Sequence, residues 1–154
     1  MPIFEASVQI AAPVERVWAF HERDDVLERL APPSGKPVVL SRTGRLETGA
    51  QVEFLVPIGP LRVRWIALHI AHEHNRYFID TQIKGPFRTW LHQHRFEAVE
   101  GGGMLLTDHI EFTLPLHPLS DWVAAWAVRR QLEEMFRYRH KVTKAFCESG
   151  EQEA

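Results

Sequence analysis

Between Lys36 and Pro115 the chain divides into six extended segments, each closed by turn chemistry: Gly44 and Gly49, Gly59-Pro60, His74-Asn75, Gly85-Pro86 and Gly101-Gly102-Gly103. Segments joined by turns this short pair antiparallel with their sequence neighbours. A seventh strand precedes them, because Phe4, Ala6, Val8 and Ile10 alternate with Glu5, Ser7 and Gln9 up to about Ile10. Two short helices fill the gap between strand one and strand two. Ala11-Ala12-Pro13 opens the first, with Val14, Val17 and Trp18 at helical spacing. The second covers about 24–30 and is stopped by Pro32-Pro33-Ser34-Gly35.

After Pro118 the period changes. Ala125, Val128, Leu132, Met135, Phe136, Val142 and Phe146 recur every three or four residues, which predicts one amphipathic helix to about Cys147, roughly 28 residues and ~42 Å long. A seven-stranded sheet with one apolar face needs a cover, and this helix alone is long enough to supply it. The fold class expected is α+β, in the order β-α-α-β6-α. The chain has 154 residues, 45% of them hydrophobic, enough for one core, and no linker divides it. A single domain over 1–148 is expected, with an acidic disordered tail over 149–154.

The short helices sit where sheet and long helix meet, so that helix is not expected to lie flush along its whole length. A cavity of roughly 300 Å³ or more between them is the predicted binding site. Trp90, Phe112, Met135 and Phe136 are its expected walls.

Eighteen Lys and Arg stand against twenty Asp and Glu. That balance lacks the basic excess of a nucleic-acid binder. No apolar run approaches a membrane span and the N-terminus lacks signal-peptide regions, so neither membrane insertion nor processing is expected. Cys147 is the one cysteine, which excludes an internal disulfide or a CxxC pair and fits a cytoplasmic setting. Elbow, phosphate-loop, dinucleotide and zinc-protease motifs are all missing from the sequence. No cofactor is therefore expected.

The element order, together with Gly85-Pro86-Phe87-Arg88-Thr89-Trp90-Leu91-His92-Gln93-His94-Arg95-Phe96-Glu97, resembles the helix-grip superfamily of START domains, Bet v 1-like proteins, polyketide cyclases and coenzyme-Q-binding proteins. Phe78-Ile79-Asp80-Thr81-Gln82, Asp108-His109-Ile110-Glu111-Phe112 and Phe136-Arg137-Tyr138-Arg139-His140 extend the likeness over residues 3 to 147. It is similar to a bacterial ligand-binding branch without an assigned reaction. The resemblance implies a sheet wrapped around the C-terminal helix, but scaffolds of this kind host carriers, receptors and enzymes alike.

Trp90, His92, His94 and Phe96 share one strand face. If the next hairpin closes through Glu100-Gly101-Gly102, His94 faces Asp108 and His92 faces Ile110, whereas a slip of one residue removes the pair. The plain reading makes Trp90 and Phe96 core and the histidines polar partners of Asp108 or of backbone. The alternative turns them toward a ligand. No metal is expected, since His-x-His supplies two ligands and the third, Asp108, depends on register. Asp80 and Gln82 share a parity with Phe78, while Tyr77, Ile79 and Ile83 favour the opposite one, so this strand's facing stays open.

On the long helix Arg139 falls inside the apolar stripe and is expected to meet Asp108, Asp80 or a ligand's polar end. Arg130, Arg137, Lys141 and Lys144 read as a solvated basic face. Trp122 and Trp126 read as core anchors or as walls of a cavity entrance. The function expected is carriage or sensing of a small hydrophobic molecule (a lipid, an isoprenoid or a polyketide-like compound). It would touch Trp90, His92, His94, Asp108, Phe112, Met135, Phe136 and Arg139. The alternatives are a cyclase or dehydratase using His92 or His94 with Asp108, and a protein-interaction module.

Overall fold

The alternation and turn chemistry set out above are realised in the structure, a computed structural model that describes residues 2–115 and 118–149. β1 (Ile3–Ile10) leads into α1 (Val14–His21), α2 (Val26–Leu30) and a 3-10 turn at Pro33–Gly35. Then come β2 (Val38–Thr43), β3 (Gln51–Ile58), β4 (Leu61–Glu73), β5 (Tyr77–Lys84), β6 (Thr89–Ala98), β7 (Met104–Thr113) and α3 (Pro118–Ser149). All seven strands form one antiparallel sheet in the order β1-β7-β6-β5-β4-β3-β2. This is the helix-grip fold. Among the described residues no helix is long and apolar enough to cross a membrane.

From β2 to β7 every strand pairs with its sequence neighbour, as short turns require. The exception is β1, which crosses to the far edge and pairs with β7, Ile3 against Glu111 and Ile10 against Met104. Its inward residues Phe4 and Ile10 then join two different core clusters. Crowding at the end of this pairing explains one glycine, since a Cβ on Gly103 would stand 2.8 Å from the Ile10 carbonyl oxygen.

At the α1 and α2 end, Val17, Trp18, Phe20, Val26 and Leu30 close on Phe78, Phe96, Met104, Leu106 and Cys147. Trp18 lies edge-on to both Phe78 and Phe96. Burying an apolar side chain contributes roughly 1.5–3 kcal/mol, so this cluster anchors the C-terminal half of α3. The helix end is docked and does not fray, because the Ala11 amide donates to Glu148 Oε2 at 2.7 Å and Arg16 donates to the Cys147 carbonyl at 3.0 Å. Buried there, the Cys147 thiol is pushed up to about 12 by loss of solvent. The cause is burial in a docked helix end, which disfavours the thiolate.

The second cluster joins Phe4, Trp90, Ile110 and Phe112 of the sheet to Leu132 and Phe136 of α3, with Met135 packed at its side. Trp126 corrects one expectation, since it is 62% exposed and anchors no core. Val123, three residues earlier, is exposed as well. The side chain of Trp122 and the tail over 150–154 lie outside the described residues.

Candidate functional site

The β6–β7 hairpin sets the site's register. The Val99 amide donates to the Gly103 carbonyl at 3.0 Å, Gly101 and Gly102 both take positive φ, and His94 pairs with Asp108 while His92 pairs with Ile110. Only glycine adopts that turn without strain. On the next strand Phe78 pairs with His94 and Asp80 with His92, so Phe78, Asp80 and Gln82 face inward with the histidine row. Gln82 clamps the following turn, its amide donating to the Phe87 carbonyl and its oxygen accepting from the Phe87 amide.

Asp108 is the hub. Its Oδ1 accepts from His92 Nε2 at 2.8 Å and its Oδ2 from His140 Nε2 at 2.6 Å. His94 lies between two carboxylates, donating through Nε2 to Asp80 at 3.0 Å, with its Nδ1 at 3.0 Å from Asp108 Oδ1 but out of line for a hydrogen bond. The imidazoles of His92 and His94 stack at 3.7 Å, and Phe78 stacks on His94 at 3.9 Å. His92, His94, Asp108 and His140 are buried, and the Asp80 side chain keeps only 13% exposure. One ligand atom from each of Asp80, His92 and His94 falls within 4.8 Å of the others.

Burial and charge oppose each other here. Loss of solvent holds the His92 imidazole below its ordinary value, with the neighbouring His94 adding to the effect. Burial pushes His94 the same way, but Asp108 and Asp80 outweigh it and raise His94 above the ordinary imidazole. Burial would raise Asp108 too, yet contacts with His140, His92 and His94 hold it well below the usual carboxylate range. Asp80 is lowered on the same balance, burial against His94 and the neighbouring imidazoles. The stable arrangement is an ionised pair of carboxylates among imidazole N–H donors.

His140 was not singled out in the sequence, and it takes the place predicted for Arg139. The helix buries Leu132, Phe136, His140, Thr143 and Cys147, which leaves Arg139 on the flank of that stripe. Among the described residues Arg139 makes no ion pair within 4 Å. Its guanidinium carbon stands 5.2 Å from the Phe136 ring centre, and its Nε is buried without a hydrogen-bond partner. Burial lowers the Arg139 pKa, against the attraction of Asp108 and Asp80.

Along the same inner face, toward the β3–β4 and β5–β6 turns, runs an aromatic row. Phe54 stacks on Trp65, Trp65 meets Trp90 edge-on at 5.1 Å, and Phe87 packs on Trp90 at 4.7 Å. Phe54, Trp65 and Phe87 are only half-buried. Trp90, Phe112 and Phe136 close into the buried cluster described above, with Met135 half-buried beside them. A separate groove of about 680 Å³ runs where α3 crosses β1, between Phe4, Ala6 and Val8 on one side and Arg129, Arg137, Lys141 and Lys144 on the other. Three of the four cations predicted to form an outer basic face line this groove.

The profile of the family described as polyketide cyclase / dehydrase and lipid transport matches residues 1–140. The chain belongs to that family. Three solved structures share its fold. The di-domain ARO/CYC StfQ from the steffimycin biosynthetic pathway is 15% identical, with a TM-score of 0.75 over 96% of this chain and 51% of that one. A START superfamily protein from Mycobacterium smegmatis is 17% identical, with a TM-score of 0.68 over 96% and 97% of the two chains. A protein from Thermus thermophilus is 18% identical, with a TM-score of 0.70 over 94% and 98%. At these identities the likeness carries the fold alone. No curated protein matches the sequence.

Proposed function

We propose that this protein binds a small, largely apolar molecule with one polar end between the inner sheet face and α3, as a carrier or sensor. The observation that carries the reading is a half-buried aromatic row, Phe54, Trp65 and Phe87, on the inner face of the sheet, together with the unpartnered Nε of Arg139 on α3. The backbone of α3 approaches β1, α1 and α2 most closely. Aromatic surface of this kind favours apolar rings and chains. An unsatisfied buried donor favours an acceptor such as a carboxylate, carbonyl or hydroxyl oxygen. The family's description, which includes lipid transport, agrees with this reading.

The test is thermal denaturation with two ligand panels. One holds long-chain fatty acids, isoprenoid alcohols and fused-ring aromatic polyketides; the other holds sugar phosphates and amino acids. A ligand present at a hundredfold excess over its Kd stabilises the fold by about 2.7 kcal/mol. Members of the apolar panel are expected to raise Tm and the hydrophilic panel to leave it unchanged. Arg139→Leu should weaken the response at least ~10-fold while the free protein melts within a few degrees of wild type, since no ion pair is lost. Trp65→Ala should weaken the response as well, by removing half-buried aromatic surface from the row. An inert apolar panel, or a response that both substitutions leave intact, overturns the reading.

A further inference from the structure

We infer that Asp80, His92 and His94 form a binding site for one divalent transition-metal ion of the zinc and ferrous-iron class. Two imidazoles and one carboxylate from three positions on two adjacent strands converge on a single point of the inner face. Sequence alone left the third ligand to Asp108, but the inward facing of β5 makes Asp80 that ligand. The inference is independent of the apolar-ligand reading, and either stands if the other fails.

The spacing suits an ion. Ligands ~2.0–2.2 Å from a metal, at tetrahedral or octahedral angles, lie roughly 3.0–3.5 Å from one another. His94 Nε2 and Asp80 Oδ2 are already 3.0 Å apart and the three ligand atoms lie within 4.8 Å of one another, so closing on an ion takes a rotation of the stacked His92 and His94 rings that turns both ligand nitrogens toward it. On binding, His94 Nε2 gives up the proton it donates to Asp80, and that nitrogen and that oxygen become ligands. The proton leaves to solvent.

The surroundings are those a metal site needs. Asp108 takes the N–H of His92 Nε2, which leaves His92 Nδ1 as the ligand atom, while His94 already turns its Nε2 to Asp80 Oδ2. A carboxylate behind a ligating imidazole fixes the tautomer and strengthens the ligand. Asp108 is held in turn by His140 from α3. All three ligands stand on strands, whose backbone pairing fixes their positions more tightly than a loop would.

The donor set selects the metal. Two nitrogens and one carboxylate oxygen suit zinc or ferrous iron, whereas magnesium and calcium prefer oxygen ligands throughout and cuprous copper prefers sulfur. Three protein ligands leave at least one position open for water or for an oxygen of a bound molecule.

The protein is stripped with chelator, dialysed free of it, and titrated with Co2+ while its visible d–d bands are followed. One equivalent of Co2+ is expected to bind and to be displaced by Zn2+. Asp80→Asn and His92→Ala should each weaken binding at least ~100-fold, and Asp108→Asn, behind the ligands, by about 10- to 100-fold. His109→Ala should change nothing, because His109 sits in a separate surface cluster with Glu5 and Glu111. Far-UV circular dichroism and melting establish that each variant is folded; should one fail to fold, the other ligand variant decides. Absence of Co2+ bands from the wild-type protein overturns the inference, as does binding that persists in Asp80→Asn or in His92→Ala.

Discussion

Removal of the Asp108 carboxylate tests the link between sheet and helix most directly. Asp108 is 4% exposed and holds two imidazole N–H groups, one from β6 and one from α3. In Asp108→Ala both donors are left buried without an acceptor, and breaking a buried charged network on one side typically costs about 3–5 kcal/mol. Within a total stability of roughly 5–15 kcal/mol that is a large fraction. For a chain of this length it corresponds to a fall in Tm of roughly 6–20 °C. The bond to His140 is isolated by a double-mutant cycle of Asp108→Ala with His140→Ala. A hydrogen bond to a charged acceptor contributes about 1.5–3 kcal/mol, so the coupling energy should fall in that range. Urea denaturation followed by tryptophan fluorescence, with chelator present so that no metal contributes, supplies the four free energies. The m-value should be unchanged across the cycle if only stability is affected. A coupling below about 0.5 kcal/mol would refute the argument, because the Asp108–His140 bond would then do nothing measurable to hold α3 to the sheet.

Two further outcomes follow from burial. His21 donates through Nδ1 to the Val17 carbonyl at 2.8 Å, and burial lowers its pKa to about 4. The unfolded chain therefore takes up this proton first, near pH 6.5. The stability contributed by neutral His21 is complete above about pH 6.5 and is lost as pH falls toward about 4, by about 3 kcal/mol at most. Urea midpoints at about pH 7 and about pH 4.5 should converge in His21→Leu relative to wild type; an identical pH dependence in both would show that His21 is not the acid-sensitive group. Cys147, fully buried with its thiol raised to about 12, should react with a thiol reagent only at the rate of unfolding. Prompt stoichiometric labelling of the native protein would contradict the docked helix end.

Much of this architecture is local in origin and hence legible in the chain. Six segments with period-two alternation and short turns have one natural pairing, and a glycine-rich loop between Val99 and Gly103 sets the register that joins His94 to Asp108. The long helix follows from its apolar repeat in the same way. The facing of β5 was not legible, because Phe78 on one face and Tyr77, Ile79 and Ile83 on the other present nearly equal apolar patterns. Pairing with β6 turned Asp80 inward and made it a neighbour of both histidines.

Two choices belong to the tertiary structure alone. β1 carries the alternation of any edge strand, and nothing local in it specifies the distant β7 as its partner. That pairing is selected by the burial of Phe4 and Ile10 in both cores at once. The rotation of α3 is the other, since neighbouring helical residues point about 100° apart and a small turn of the helix decides which of them faces the sheet. Docking of Phe136 and Cys147 into the two clusters brought His140 to Asp108 and left Arg139 at the margin, its Nε unpaired. Sequence periodicity defines a stripe roughly two residues wide, and only packing against the finished sheet chooses between a charge and an imidazole within it.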